Sequence, residues 1–216
     1  MHESQSNQRV DWPVLDFANA IEELATQHYA VLPNFLSDAQ QDALRRELVA
    51  CQQQGLFHAA GIGRGQHHNL NRQIRGDSIC WLEDDFNTGR HYLAQMDTLR
   101  HTLNASFYLG LQSFEAHYAH YQAGSVYQRH VDRHRDNDAR VISSVCYLNA
   151  DWPADAGGEL QLFNAHDELL LRLPPLGGTL VLFMSADMPH EVLASTQSRY
   201  SIAGWFRRDE MTYALV

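Results

Sequence analysis

The stretch HEVLASTQSRYSIAGWFRR, residues 190–208, decides the fold. HEVLAS and RYSIAGWFRR are short runs rich in β-branched and aromatic residues, with alternating character and no room for a helical turn between them, so each reads as a β-strand. Arg199 opens the second strand although its neighbours are mostly apolar. An inward arginine there is costly unless an anion meets it. Ser201 lies two positions on, hence on the same face, and is placed to bind the same anion.

Working back from this stretch, the period of two persists to about residue 106. FEAHYAHY (114–121), ARVISSVCYLN (139–149), GELQLFN (158–164), ELLLRL (168–173) and GTLVLFM (178–184) follow one another. Turn signals such as ADAGG, NAHD and PPLGG separate them. Seven or eight antiparallel strands in roughly 100 residues imply a jelly-roll or barrel, in which one sheet folds over another and few edges stay exposed. Further back the period changes to that of a helix. PVLDFANAIEELATQHY (13–29) and SDAQQDALRRELVACQQQG (37–55) carry apolar positions at helical spacing, the second opened by Ser37 and Gln40 in capping-box positions and closed by Gly55. A third helix is expected near 89–105, where Tyr92, Met96, Leu99 and Leu103 share a face. The expected fold is mainly β (α+β): one domain over 1–216 with a jelly-roll core at 106–207, a helical support at 1–55 and one internal helix. Between the helices, GIGRGQHHNLNRQIRGD (61–77) shows neither period and reads as a long loop within a loop region at 57–77. Its glycines at 61, 63 and 65 are not spaced as a dinucleotide fingerprint.

Composition narrows the partners. A net charge of −10 does not supply the basic surface that nucleic acid or an anionic membrane needs. Cys51, Cys80 and Cys146 cannot all pair within one chain and form no CxxC, so neither a disulfide framework nor a cysteine zinc site is indicated. The polar start MHESQSNQRVDWP and the lack of a long apolar run lead to the expectation of a soluble cytoplasmic protein.

YQRHVDRHRD, residues 127–136, concentrates titratable side chains at a strand end. His130 and Asp132 are two residues apart, so their side chains leave one face and converge, and His190 begins a later strand. Two imidazoles and a carboxylate on one face of an octahedron leave three positions open, as in non-haem iron(II) oxygenases. An HxD pair also arises by chance, and a strand histidine is commonly a hydrogen-bonded structural group. Arg199 separates the two readings, because a structural metal site or a non-catalytic jelly-roll that only binds metal or ligand has no use for a carboxylate clamp.

These residues resemble the iron(II)- and 2-oxoglutarate-dependent oxygenases. The longer series IRGDSICWLE, YQRHVD, CYLNADW, GGELQLF and PHEVLASTQSRYSIAGWF is similar in order and spacing to the hypoxia-factor branch of the prolyl 4-hydroxylases, as a bacterial member. The resemblance covers about residues 57–207 and implies a double-stranded β-helix. It implies His130, Asp132 and His190 as ligands of Fe(2+), Arg199 as partner of the 2-oxoglutarate C5 carboxylate, Tyr147 on the same carboxylate and Tyr121 beside the metal. Tyr121 stands one residue closer to His130 than the family spacing, and either tyrosine alone could be a core aromatic. The activity implied is hydroxylation of a prolyl residue in a protein, with O2 consumed and 2-oxoglutarate converted to succinate and CO2, and with ascorbate as a candidate reductant. Elongation factor Tu is the candidate target; a free amino acid or other small molecule is the alternative, against which the long loop argues. Arg75 and Asp77 match charged loop positions of that branch, with Arg140 as the expected ion-pair partner of Asp77. The remaining histidines, among them His117 and His120, have no matching role and read as surface or hydrogen-bonded structural residues. Trp205 and Phe206 read as packing groups.

Overall fold

A computed structural model describes residues 10–61, 74–133 and 139–209. Three helices, α1 (Ala18–Gln27), α2 (Asp38–Gln53) and α3 (Gly89–Phe107), precede most of the strands. The strands are β1 (Tyr29–Leu32), β2 (His58–Ala59), β3 (Asp77–Trp81), β4 (Ser113–Tyr121), β5 (Tyr127–His130) and β6 (Arg140–Tyr147). They continue with β7 (Leu160–Phe163), β8 (Leu169–Leu173), β9 (Leu180–Met184), β10 (His190–Val192) and β11 (Arg199–Arg207).

The strands form two antiparallel sheets, a major one in the order β1-β9-β6-β11-β4-β3-β2 and a minor one in the order β5-β10-β7-β8. This is the jelly-roll that the alternating runs implied, in the double-stranded β-helix form that the family resemblance implied. The seven strands read after residue 106 all appear, with β5 added at the HxD end. Upstream the structure departs from the expectation. Tyr29–Leu32 is not part of a helical support but pairs with β9 along the sheet edge, and β2 and β3 extend the opposite edge beyond β4. Residues 62–73 of the anticipated loop lie outside the described residues, as do His134, Arg135 and Asp136.

Each helix end follows local chemistry. The Ser37 hydroxyl accepts from the Gln40 amide N–H while the Gln40 side chain accepts from the Ser37 N–H, the reciprocal box that opens α2. Thr88 offers α3 no side-chain cap. Instead Glu47, one face of α2, accepts from the Thr88 and Gly89 amides at 2.6 and 2.7 Å and from the Tyr118 hydroxyl at 2.7 Å. A carboxylate at a helix N-terminus meets its unpaired amides and its positive dipole end, so this contact ties two helices to the sheet.

The main core lies between the helices and one face of the major sheet, where Leu44, Leu48, Met96 and Leu99 join Tyr118, Ile202, Cys146 and Leu180. Cys51, Cys80 and Cys146 are all free thiols within it. A smaller cluster, including Tyr147, Leu160, Leu162, Val181 and Phe183, fills the space between the sheets. Beside that cluster a pocket opens. No described helix is long and apolar enough to cross a membrane.

Candidate active site

Strand pairing builds the centre of the pocket. In the minor sheet β10 lies between β5 and β7, and His190 faces His130 directly across the β5–β10 ladder. Asp132 follows two residues beyond His130, so all three side chains meet, each with a ligand atom within 4.8 Å of the others. Asp132 Oδ1 is 3.6 Å from His130 Nε2 and Oδ2 is 3.6 Å from His190 Nε2.

Neighbouring groups fix which ring atom is offered. His130 Nδ1 lies 2.8 Å from the Gln128 carbonyl and His190 Nδ1 lies 3.0 Å from the Met188 carbonyl. A carbonyl can only accept, so each Nδ1 carries the proton and each Nε2 turns toward Asp132 with its lone pair available. The Ser143 hydroxyl donates to Asp132 Oδ2 at 2.7 Å and touches the Ser185 hydroxyl. Tyr127 stacks on His130 with ring centroids 3.6 Å apart, and Phe183 meets His190 edge-on. Such outer contacts set the orientation and basicity of ligating side chains.

Protonation fits the same purpose. Burial pushes His190 down to about 4, reinforced by His130 and opposed by Asp132 and the Met188 carbonyl. Burial also acts to raise the Asp132 carboxyl, but the His190 and His130 imidazoles and Arg140 hold it well below the usual carboxylate range. Near neutral pH the cluster is therefore an anionic carboxylate beside a neutral imidazole, the forms in which these groups donate lone pairs to a metal.

The pocket's other end is cationic. Arg199 is only 2% exposed and sits over the Tyr121 ring, its Cζ 4.2 Å from the centroid. Its Nη1 donates to the Gly158 carbonyl at 2.8 Å, while its Nε has no hydrogen-bond partner among the described residues. Gly157 and Gly158 both have positive φ, and a Cβ on Gly157 would stand 2.5 Å from the Ala194 carbonyl oxygen. Glycine is therefore required where this turn brings its carbonyl to Arg199. Register sets Tyr147 opposite Ser201, and Arg199 opposite Tyr121, which in turn faces Asp77. The Tyr147 hydroxyl is buried without a partner among the described residues. Burial pushes its pKa up to about 12 against the opposing pull of Arg199, so it is a protonated donor.

The structure thus gathers His130, Asp132, His190, Arg199, Tyr121, Tyr147, Ser201, Arg75 and Asp77 around one pocket. Arg140 differs. Asp77 pairs with Arg75 at 2.8 Å rather than with Arg140, whose guanidinium pairs with Glu115 at 2.9 Å and lies over the Trp205 ring. Arg75 is two residues from Asp77 and reaches it without crossing the sheet, and Glu115 offers Arg140 a carboxylate from the adjoining part of the same sheet face. His120 bonds through Nδ1 to the Gln52 side chain, while its buried Nε2 has no partner among the described residues; it does not line the pocket. His117 does not conform: it is buried, lines the pocket, and neither ring nitrogen has a partner among the described residues. Trp205 also lines the pocket, with its indole N–H unpaired among the described residues. Tyr127, Trp205 and His117 were missed as site residues. For His117 and Trp205 the available signal was strand parity, since both share the parity of residues already assigned to the pocket face: His117 with Tyr121, Trp205 with Arg199.

Known proteins match this arrangement. Residues 116–207 fit the family model of the 2OG-Fe(II) oxygenase superfamily. Mouse prolyl hydroxylase EGLN3 is 28% identical over 188 residues, covering 82% of this chain and 77% of that protein. The crystal structure of a Pseudomonas putida prolyl-4-hydroxylase is 37% identical with a TM-score of 0.81, over 90% of this chain and 100% of that one. A Trichoplax adhaerens prolyl hydroxylase, solved in complex with a hypoxia inducible factor oxygen degradation domain peptide fragment, is 25% identical with a TM-score of 0.79 over 88% of each chain. With the fold, the clustered His-Asp-His side chains and these matches in agreement, the chain belongs to the 2OG-Fe(II) oxygenase superfamily, as an enzyme of its hypoxia-factor-type, 2-oxoglutarate-dependent prolyl hydroxylase class.

Proposed function

We propose that the enzyme hydroxylates a prolyl residue within a protein, with His130, Asp132 and His190 holding Fe(2+) and with Arg199 and Tyr147 holding the C5 carboxylate of 2-oxoglutarate. The observation that carries this reading is the pairing of two features in one pocket: a three-donor cluster, and a buried arginine whose Nε, like the hydroxyl of Tyr147, has no partner among the described residues. Two imidazoles and one carboxylate suit ferrous iron and leave positions open for a chelating cosubstrate and O2. Leaving buried donors unpaired costs about 1–3 kcal/mol each, which a bound carboxylate relieves.

When bound, iron and 2-oxoglutarate supply the oxidising chemistry, with O2 giving one oxygen atom to succinate as CO2 leaves and the other to a substrate C–H bond. The chain's own groups arrange that event. Arg199 supplies the charge and Tyr147 a hydrogen bond that anchor the diacid's distal end. Ser201 lines the same end with a second hydroxyl. Gln128, Met188 and Ser143 keep the three donors in register. Tyr127, Phe183, Leu160 and Val192 form apolar walls that exclude water from the reacting centre. Arg75 and Asp77 sit at the pocket's border as a paired unit, where they support a substrate-gripping segment.

The candidate protein is elongation factor Tu, and ascorbate is a candidate reductant that keeps the iron ferrous. The test is mass spectrometry of purified elongation factor Tu, and of total protein from a bacterial lysate, after incubation with the iron-loaded enzyme, 2-oxoglutarate and O2. A gain of one oxygen on a protein proline that depends on 2-oxoglutarate is expected. Oxygen appearing only on a free amino acid or other small molecule would overturn the protein-substrate reading.

A further inference from the structure

His117 lies mid-strand in β4, opposite Trp81 on β3 and Ala203 on β11. It is 1% exposed. Its ring is held between Trp81, with centroids 5.0 Å apart and planes at 74°, and Trp205, with centroids 5.5 Å apart. Neither Nδ1 nor Nε2 of His117, nor the Trp205 indole nitrogen, has a hydrogen-bond partner among the described residues. Both residues line the pocket that contains the His-Asp-His cluster. Three unpaired polar atoms on one wall call for a polar ligand group or an ordered water there.

Charge distinguishes this wall from the Arg199 end. The cations around it are already matched: Arg75 with Asp77, Arg140 with Glu115, and Arg207 with both Glu115 and Asp209. Arg199 has a backbone carbonyl but no carboxylate partner among the described residues. Burial, then Arg75 and Arg140, push His117 well below its ordinary range against the pull of Asp132, so its ring is neutral and presents one donor and one acceptor. An acid is drawn to Arg199. A neutral hydrogen-bonding group suits His117.

We propose that His117, beside the Trp205 indole N–H, is a specificity-determining residue that receives a neutral backbone carbonyl at or next to the target proline. This rests on the prolyl hydroxylase reading above and deepens it: the pocket takes proline inside a peptide and discriminates against free proline. A peptide carbonyl has two lone pairs, one for a His117 N–H and one for the indole N–H. The carboxylate of free proline finds only matched cations at this wall and would be desolvated without a counter-charge.

The full chain, loaded with zinc(II) as a redox-inert stand-in and with 2-oxoglutarate, is titrated with acetyl-glycyl-prolyl-glycinamide and, separately, with free L-proline. Calorimetry gives affinities, and the ¹⁵N resonances of the Trp205 indole and His117 imidazole report contact. The tripeptide amide should bind about tenfold more tightly than free proline and shift both resonances, the scale of one to two hydrogen bonds. His117→Leu should lose about tenfold of tripeptide affinity without changing that for 2-oxoglutarate, and His117→Gln, a neutral donor and acceptor, should restore most of it. Equal tripeptide binding by the wild type and His117→Leu, or a tripeptide that binds while both resonances stay still because water alone occupies the wall, overturns the inference and leaves prolyl hydroxylation intact. A tripeptide that fails to bind while 2-oxoglutarate does overturns the prolyl reading as well.

Discussion

Along β11 successive side chains enter two different environments. Ile202 and Phe206 face the helices within the main core, whereas Arg199, Ser201, Ala203 and Trp205 face the pocket. The same alternation runs through β4, where Tyr118 meets Glu47 of α2 and its neighbours His117 and Ala119 line the pocket. The helix-packed face is mostly apolar, although Tyr92 and His120 each leave a buried polar atom there without a partner among the described residues, whereas on the pocket face Arg199, Tyr147, His117 and Trp205 all do so around one cavity. A sheet anchored on one side by helices can therefore hold a costly polar arrangement on the other, because burial on the first face supplies stability that the second gives up.

Substitutions on the two faces should separate function from stability. The largest effect is expected from Arg199→Met, which removes a buried cation that has no carboxylate partner among the described residues. Truncating one side of a buried, hydrogen-bonded charge pair costs about 2–5 kcal/mol, so KM for 2-oxoglutarate should rise by about two orders of magnitude or more. A 2-oxo acid without the second carboxylate should then be used no worse by the variant than by the wild type. An unchanged KM would show that the charge is not the anchor. On the opposite face Ile202→Ala, at a fully buried position, should destabilise by about 2–5 kcal/mol in denaturant unfolding while turnover per folded molecule is retained.

The pocket also titrates, through a group that the minor sheet contributes. His190 is held at about 4 in the folded protein, below the roughly 6.5 of an unfolded histidine. Its contribution is fully present above about pH 6.5 and is lost as pH falls toward 4, because the unfolded chain binds the proton first. In metal-free protein this amounts to on the order of 3 kcal/mol. Unfolding midpoints should fall across that window, and His190→Asn should flatten the profile. A slope unchanged by that substitution would assign the loss elsewhere.

How far the sequence revealed all this depended on the range of the forces involved. The alternation of β4 and β6 through β11 is local, and so is the HxD spacing, so the jelly-roll and the His130–Asp132 pair could be read directly, whereas His190, far along the chain, was joined to them through the family resemblance. Tyr29–Leu32, His58–Ala59 and Asp77–Trp81 are strands because a neighbour supplies their hydrogen bonds, a non-local cause that such short runs, with His58, Asp77 and Ser78 among them, do not announce. Asp77 had two arginines to choose between, and distance across the sheet decided for Arg75. His117 looked structural because a sequence displays a side chain's type but not whether its hydrogen bonds are filled.

The smallest expected effect gives the sharpest contrast, since it compares adjacent serines on β6. Ser143 donates at 2.7 Å to Asp132, which lines the pocket, whereas Ser144 pairs in register with Gly204 and donates to its carbonyl at 3.3 Å. Ser143→Ala removes a bond that orients the carboxylate of the proposed metal site, and such supporting contacts are typically worth about 10–100-fold in metal affinity, so a loss of about tenfold is expected. Ser144→Ala removes a longer, neutral bond to a backbone carbonyl, with no contact to the three clustered donors among the described residues, and should shift stability by less than about 1 kcal/mol with metal affinity unchanged. Iron or zinc titration of the two variants measures the difference. If both substitutions weaken metal binding equally, the bond to Asp132 is not what orients that carboxylate.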